Sequence, residues 1–127
     1  MPPHNIPRPT DSELAILRVL WDRGPSTVKQ VNRVMNEEKE TGYTTTLKLL
    51  QIMTEKGLVV RDASDWAHVY EAAFTEERTQ KQLVRDLLQK AFAGSTGKLV
   101  LRALSAKKVS AEERAEIRKL LDELEGE

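Results

Sequence analysis

A predicted helix in the first half of the chain carries short polar side chains and one cation on a single face. Counting about 100° per residue from Thr46, four residues cluster on one side of this helix: Thr46, Leu49, Leu50 and Met53. The opposite, polar face consists of Thr44, Thr45, Lys48, Gln51 and Glu55, with Leu47 at its edge. Hydroxyl, amide and ammonium groups donate or accept hydrogen bonds, and this set of side chains is not one that catalyses a reaction. This face is therefore suited to recognising another polar surface.

The residue sets that enzymes and metal sites require are not found in this sequence. His4 and His68 are the two histidines, and cysteine is absent. Metal-ligand spacings, glycine-rich phosphate loops and nucleophile elbows are missing. We expect no catalysis, cofactor, metal or small-molecule substrate. The lack of cysteine suits a reducing cytoplasm, where we place the protein, and no apolar run reaches the ~18 residues that cross a bilayer.

Three helices are predicted to position the polar face. Thr10 and Glu13 have the capping-box spacing at the start of the first helix, which Gly24 and Pro25 end. Ser26 is the predicted N-cap of the second helix, and the third helix runs from near Tyr43 to Gly57. Residues 1–9, which contain four prolines, are interpreted as a disordered lead-in.

A β-hairpin is predicted after the third helix. Residues 58–61 and 66–73 have strand character and flank a polar turn at 62–65. Trp66 is either an exposed residue of the wing or folds back onto the core, and we favour the core. Three helices followed by a hairpin are the order of a winged helix-turn-helix domain, here residues 10–74.

Residues 75–127 are predicted to form a helical arm. Its amphipathic segments have apolar stripes but no globular core of their own, so we expect a second copy to cover them. The predicted dimerisation residues are Leu83, Leu87, Leu99, Leu104, Ile117, Leu120, Leu121 and Leu124. The fold class is thus mainly α, with a winged helix followed by a dimerisation arm.

Within this architecture the polar face is placed where a recognition helix meets the major groove of DNA. Threonine and leucine can contact a thymine methyl, and glutamine can bond adenine. Backbone N–H groups at the start of the second helix are suited to a phosphate, although simple capping explains the same residues. Arg61 could pair with a phosphate or remain a solvated strand charge. The predicted DNA-binding residues are Ser26, Thr27, Thr44, Thr45, Leu47, Lys48, Gln51 and Arg61.

The net charge does not favour DNA binding. The 20 basic and 20 acidic residues cancel, whereas nucleic-acid binders are often basic. Residues 1–74 contain nine Lys or Arg against ten Asp or Glu. A dimeric winged-helix module that binds proteins instead of DNA is therefore the alternative interpretation.

Four segments in order resemble the penicillinase-repressor family of bacterial winged-helix regulators. Residues 14–21 lead into GPSTV at 24–28, and GYTTT at 42–46 precedes EKGLV at 55–59. AHVY at 67–70 on the second hairpin strand completes the resemblance, which covers nearly the whole chain. The resemblance implies a homodimeric repressor that binds an inverted-repeat operator, commonly of TACA/TGTA type.

The resemblance also implies two modes of induction. In one branch a membrane-bound metalloprotease sensor leads to cutting of the arm at an Asn-Phe pair, and in the other a cysteine-rich tail binds copper. This chain has Arg102-Ala103 at the matching position and no cysteine. Cutting within residues 99–104 is expected by analogy alone, with a membrane-bound protease as the implied partner.

Overall fold

The computed structural model describes residues 6–64 and 66–126. The elements in chain order are α1 (Asp11–Arg23), β1 (Ser26–Thr27), α2 (Val28–Glu38), α3 (Tyr43–Lys56), β2 (Val59–Asp62), β3 (Val69–Ala72), α4 (Glu76–Ala91), α5 (Thr96–Ala106) and α6 (Ala111–Glu125). The chain divides into two compact units, one up to Val84 and one from Arg85. The division lies inside α4, whereas the sequence interpretation placed it at the start of that helix.

The predicted ends of α1, α3 and α4 form because they depend only on residues within one helical turn. The Thr10 side chain accepts from the Glu13 N–H and the Glu13 side chain accepts from the Thr10 N–H, as a capping box requires. The α3 helix ends at Gly57, whose φ of 83° lies in the left-handed region that glycine adopts without strain. Thr75 accepts from the Arg78 N–H at the start of α4.

The second helix begins one residue later than predicted. Ser26 and Thr27 form the short strand β1, and Thr27 is the N-cap of α2. The three antiparallel strands have the order β1-β3-β2. Tyr70 on the central strand pairs with Ser26 on one side and Arg61 on the other. The prediction of Ser26 as the helix cap is wrong because the Thr27 hydroxyl accepts from the Gln30 N–H, whereas the Ser26 hydroxyl donates away from the helix to the Gly24 carbonyl.

The core of the first unit lies between the three helices and the sheet. Its fully covered members include Ile16 and Leu17 of α1, Val31 of α2, Leu50 and Met53 of α3, and Leu58 and Tyr70 beside the hairpin. Ile6 also belongs to this core, at 6% exposure. The expectation of a disordered lead-in therefore fails for Ile6, and its remaining part at residues 1–5 lies outside the described residues.

The second unit has no comparable core. Among its described residues, 85–126, none is buried. The apolar side chains of Leu120, Leu121 and Leu124 are each more than half exposed. Capping by Ser95 and Ser110 accounts for where α5 and α6 begin. These helices thus have well-defined ends but leave their apolar stripes uncovered within the chain.

Candidate nucleic-acid interface

The polar face of α3 lies opposite a side that is anchored in the core. Thr46, Leu50 and Met53 are fully covered, and Leu47 and Leu49 are half-buried against them. Because these residues recur every three or four positions, they immobilise one side of the helix and direct the other to solvent.

The structure brings the predicted α3 residues onto one exposed surface. Thr44, Thr45, Lys48 and Gln51 are all exposed, and Leu47 borders them. We call these five residues the α3 face. These five residues include a single cation, and Glu55, the acidic residue of the predicted polar face, lies in the last turn of the helix. Most of the α3 face lies in the N-terminal part of the helix, where recognition helices usually contact base edges. Its hydroxyl, amide and ammonium groups suit the pattern of donors and acceptors in a major groove.

The two residues predicted at the start of α2 are placed differently from each other. Ser26 is 5% exposed, and its hydroxyl donates to the Gly24 carbonyl over 2.9 Å. Thr27 is half-buried and takes part in a capping box with Gln30. That box already engages the N–H groups of Thr27 and Gln30. The Ser26 hydroxyl is therefore not presented at the surface, and the predicted phosphate seat is reduced.

The hairpin presents one basic and several non-basic groups. Arg61 is exposed on β2, as predicted for a phosphate contact. At the turn the Asp62 carboxylate accepts from the Ser64 N–H over 2.9 Å. This hydrogen bond holds the pKa of Asp62 below its usual value, so the turn is anionic. We call the turn at residues 62–64 the wing tip. It lacks the positive charge that binds phosphates.

Trp66 does not fold back onto the core. It is 97% exposed, and the prediction that it packs inward is wrong. Trp66 lies in the turn before β3, and Tyr70 of β3, at 1% exposure, supplies the large aromatic side chain to the core. The Trp21 indole N–H instead reaches the Phe74 carbonyl over 3.0 Å.

Sequence reasoning missed a set of amide hydrogen bonds between α2 and α3. The Asn32 side-chain NH2 donates to the Thr41 carbonyl and to the Thr46 hydroxyl, each over 2.9 Å. Asn36 accepts from the Thr41 N–H over 2.8 Å and donates back to the Thr41 carbonyl over 3.0 Å. We call these four residues the turn clamp. Two asparagines one helical turn apart are the sequence signal that could have indicated it.

Sequence reasoning also missed an ion pair at the other end of α3. The Lys56 ammonium lies 2.6 Å from the Glu13 carboxylate, whose side chain is 3% exposed. Burial, the largest single influence, raises the pKa of Glu13, but the hydrogen bonds from Lys56 and Thr10 and the Lys56 charge together hold it below its ordinary value. The pair joins the start of α1 to the end of α3.

The described part of the chain contains neither a group of metal ligands nor a helix that could span a membrane. Within residues 6–64 and 66–126, His, Asp and Glu side chains form no group of three that could hold a metal ion. Over the same residues, every helix is too short or too polar to cross a bilayer.

Comparison with known proteins identifies the family. Residues 9–123 match the penicillinase repressor family. The chain belongs to this family. It is 31% identical over 116 residues to the protein named transcriptional regulator BlaI in Mycobacterium tuberculosis strains CDC 1551 and H37Rv, and this alignment covers 91% of this chain and 83% of the relative. The family is one of transcriptional regulators and not of enzymes, which confirms the sequence interpretation on both points.

A solved structure supports the fold of this penicillinase repressor family member. RosR of H. salinarum superposes with a TM-score of 0.51 at 19% identity, covering 92% of this chain and 94% of the other. The helical composition, the small three-stranded sheet and this similarity confirm the winged-helix fold with a helical arm.

Proposed function

We propose that the protein is a homodimeric repressor that binds an inverted-repeat operator through the α3 face. The observation that carries this proposal is the α3 face itself, whose four polar residues are all exposed on a helix whose other side is fixed in the core. Family membership supports a role in transcription. A chromosomal operator as partner places the protein in the cytoplasm.

Local charge supports DNA binding in spite of the neutral composition. Lys48 lies on the α3 face, and Arg33 and Lys29 are exposed on α2. Residues at positions such as these can neutralise phosphates without a basic average over the domain. We assign Lys48 and Arg61 to phosphates, and Thr44, Thr45, Leu47 and Gln51 to base edges. Thr27 remains a candidate contact at the start of α2 through its hydroxyl, which accepts from the Gln30 N–H and can still donate to a phosphate. The Ser26 side chain is left out because it is buried.

Uncovered apolar surface supports the homodimer. Leu87, Leu104 and Leu120 are 47%, 40% and 56% exposed, and burial of apolar area contributes about 25 cal/mol per Å². A second copy offers an identical surface, so a two-fold dimer covers both at once. The remaining residues assigned to the interface are Leu83, Leu99, Ile117, Leu121 and Leu124.

We also propose that repression ends by proteolysis in α5. The α5 helix has no buried residue, and Leu101, Arg102, Ala103 and Leu104 are all exposed. Cutting there would uncouple the winged-helix domains of the two copies in the dimer. While they are joined, the second domain binds DNA at a high effective concentration once the first is bound. The proposed protease is a membrane-bound sensor. An immunoblot during induction of the target tests this, and derepression with the chain at full length and constant abundance would refute it.

Binding to the duplex upstream of the protein's own gene tests the main proposal. Fluorescence anisotropy at two salt concentrations, with a scrambled duplex of equal composition as control, should show selective and salt-dependent binding. Sedimentation of the same sample should show a dimer at micromolar concentration. Equal affinity for both duplexes would refute operator recognition and favour a protein-binding module, which the anionic wing tip and exposed Trp66 would suit.

A further inference from the structure

The first turn of α3 is not fixed by its own sequence. Gly42 is the N-cap of α3 and forms no side-chain cap hydrogen bond, whereas Thr10, Thr27, Ser95 and Ser110 cap their helices through side chains. A side-chain cap normally holds one of the free N–H groups at a helix start. The beginning of α3 must be positioned in another way.

The turn clamp supplies this positioning from α2. The Thr41 residue, immediately before the cap, has its N–H bound to Asn36 and its carbonyl bound to both Asn32 and Asn36. Asn32 also reaches the covered Thr46 hydroxyl inside α3. The Asn36 amide further donates to the Asn32 side-chain oxygen over 3.1 Å, so the two amides act as one unit.

We propose that Asn32 and Asn36 are positioning residues for operator recognition: they hold the start of α3 at the height and angle that its base contacts require. The inference rests on the proposed DNA-binding function. Thr44 and Thr45 follow the clamped turn directly, so any movement of Thr41 and Gly42 displaces them first. Base readout depends on the placement of donors and acceptors, whereas attraction to phosphates tolerates small displacements.

The proposed role of the asparagines, to position the first turn of α3, can be distinguished from a role in keeping the helix folded. The α3 helix is held in the core by Leu50 and Met53, at 0% exposure each, and these contacts do not involve the asparagines. Asn36 is itself exposed, so its removal leaves no cavity. Loss of the clamp should therefore release the first turn of α3 while the helix stays folded.

The test compares Asn36→Ala, Asn32→Ala and the double variant with wild type. The probe is the duplex that the wild-type chain selects from a randomised pool, and the reference is a scrambled duplex of equal composition. We expect the ratio of the two affinities to fall about tenfold in each single variant, comparable to the loss of one base contact. Affinity for the scrambled duplex should stay unchanged. The double variant should lose little more than either single one, because both residues act through Thr41.

The matched control is Thr75→Ala, which removes the side-chain cap at the start of α4 and lowers stability by a similar route. It should keep the full affinity ratio. Equal loss of selectivity in Thr75→Ala, or an unchanged ratio in both asparagine variants, would overturn the inference while leaving the proposed function intact. If the wild type selects no duplex, the proposed function fails and the inference fails with it.

Hydrogen exchange gives a readout that needs no DNA. In Asn36→Ala the backbone amides of Thr41 and Thr46 should exchange faster. The Thr41 amide loses its acceptor. The Thr46 amide donates to the Gly42 carbonyl over 3.1 Å and therefore lies in the released turn. The Met53 amide should be unaffected. Faster exchange of Met53 to the same extent would show general destabilisation and contradict a positioning role.

Discussion

Replacement of Lys56 by methionine should destabilise the first unit and do so in a pH-dependent way. The change removes the cation that lies 2.6 Å from Glu13 and keeps an unbranched chain of similar length. The Glu13 carboxylate, 3% exposed, would then retain the Thr10 N–H over 2.9 Å as a hydrogen-bond donor.

The expected cost can be bounded from this geometry. Breaking a buried ion pair by removing one partner typically costs about 3–5 kcal/mol. Here Lys56 is 32% exposed, so water can reach the carboxylate once the ammonium is gone, and the Thr10 bond remains. We therefore expect a loss of about 2 kcal/mol in the free energy of unfolding near neutral pH, below the usual range.

The sign of the pH dependence follows from the lowered pKa of Glu13. A carboxyl whose pKa is lower in the folded state contributes stability above the unfolded value of about 4.3, and this contribution disappears as the pH falls through the folded value. The difference between wild type and Lys56→Met should therefore be full at pH 7 and shrink as the pH falls, because the carboxyl that has lost Lys56 gains a proton at a higher pH than the paired one does.

Urea denaturation at a series of pH values measures this difference. Glu13→Gln combined with Lys56→Met is the matched control, because glutamine can keep the capping box without leaving a charge unpaired. The double variant should be more stable than Lys56→Met alone at pH 7. A cost under about 0.5 kcal/mol, or a cost that does not change with pH, would refute the reasoning.

Three further predictions concern the proposed function. Leu120→Asp should place a charge in the apolar dimer surface and cost several kcal/mol of association, so sedimentation should show a folded monomer; a dimer of unchanged affinity would contradict the assigned interface. Lys48→Ala should weaken binding to operator and scrambled DNA alike and lower the salt slope by about one, which anisotropy at several salt concentrations can detect. Thr44→Ala and Gln51→Ala should relax base preference at defined operator positions, by about 1–3 kcal/mol each, as measured with single-base operator variants; uniform losses at all positions would argue against base contacts.

The elements that the sequence predicts correctly depend on neighbouring residues. The capping box of α1 and the end of α3 at Gly57 involve positions within one helical turn. The two sides of α3 follow from the helical period, with Thr46, Leu50 and Met53 covered and Thr44, Lys48 and Gln51 exposed. The helical period also predicts the apolar stripes of the arm, which was expected to lack a core of its own. The structure leaves the leucines of these stripes uncovered.

The features that sequence reasoning missed depend on distant parts of the chain. Ser26 enters a strand because the distant Tyr70 pairs with it. The true cap, Thr27, has the capping-box spacing with Gln30, which is a local signal that sequence reasoning overlooked. Ile6 follows prolines typical of a disordered segment but finds a place in the core. Trp66 was expected to fold back onto the core, but it lies in the turn before β3, and Tyr70 of β3 supplies the large aromatic side chain there.

The same distinction applies to what orients α3. Its middle is fixed by Leu50 and Met53, whose burial each contributes about 1.5–3 kcal/mol. Its start and its end are fixed by polar contacts, the turn clamp and the Glu13–Lys56 pair, and the latter joins residues 43 positions apart. A typical hydrogen bond contributes about 0.5–1.5 kcal/mol net, and one to a charged group about 1.5–3 kcal/mol. We therefore expect the loss of either polar contact to leave the helix folded but less firmly held at that end. The helical period therefore predicts which side chains α3 presents, whereas the polar contacts at its two ends determine where it presents them.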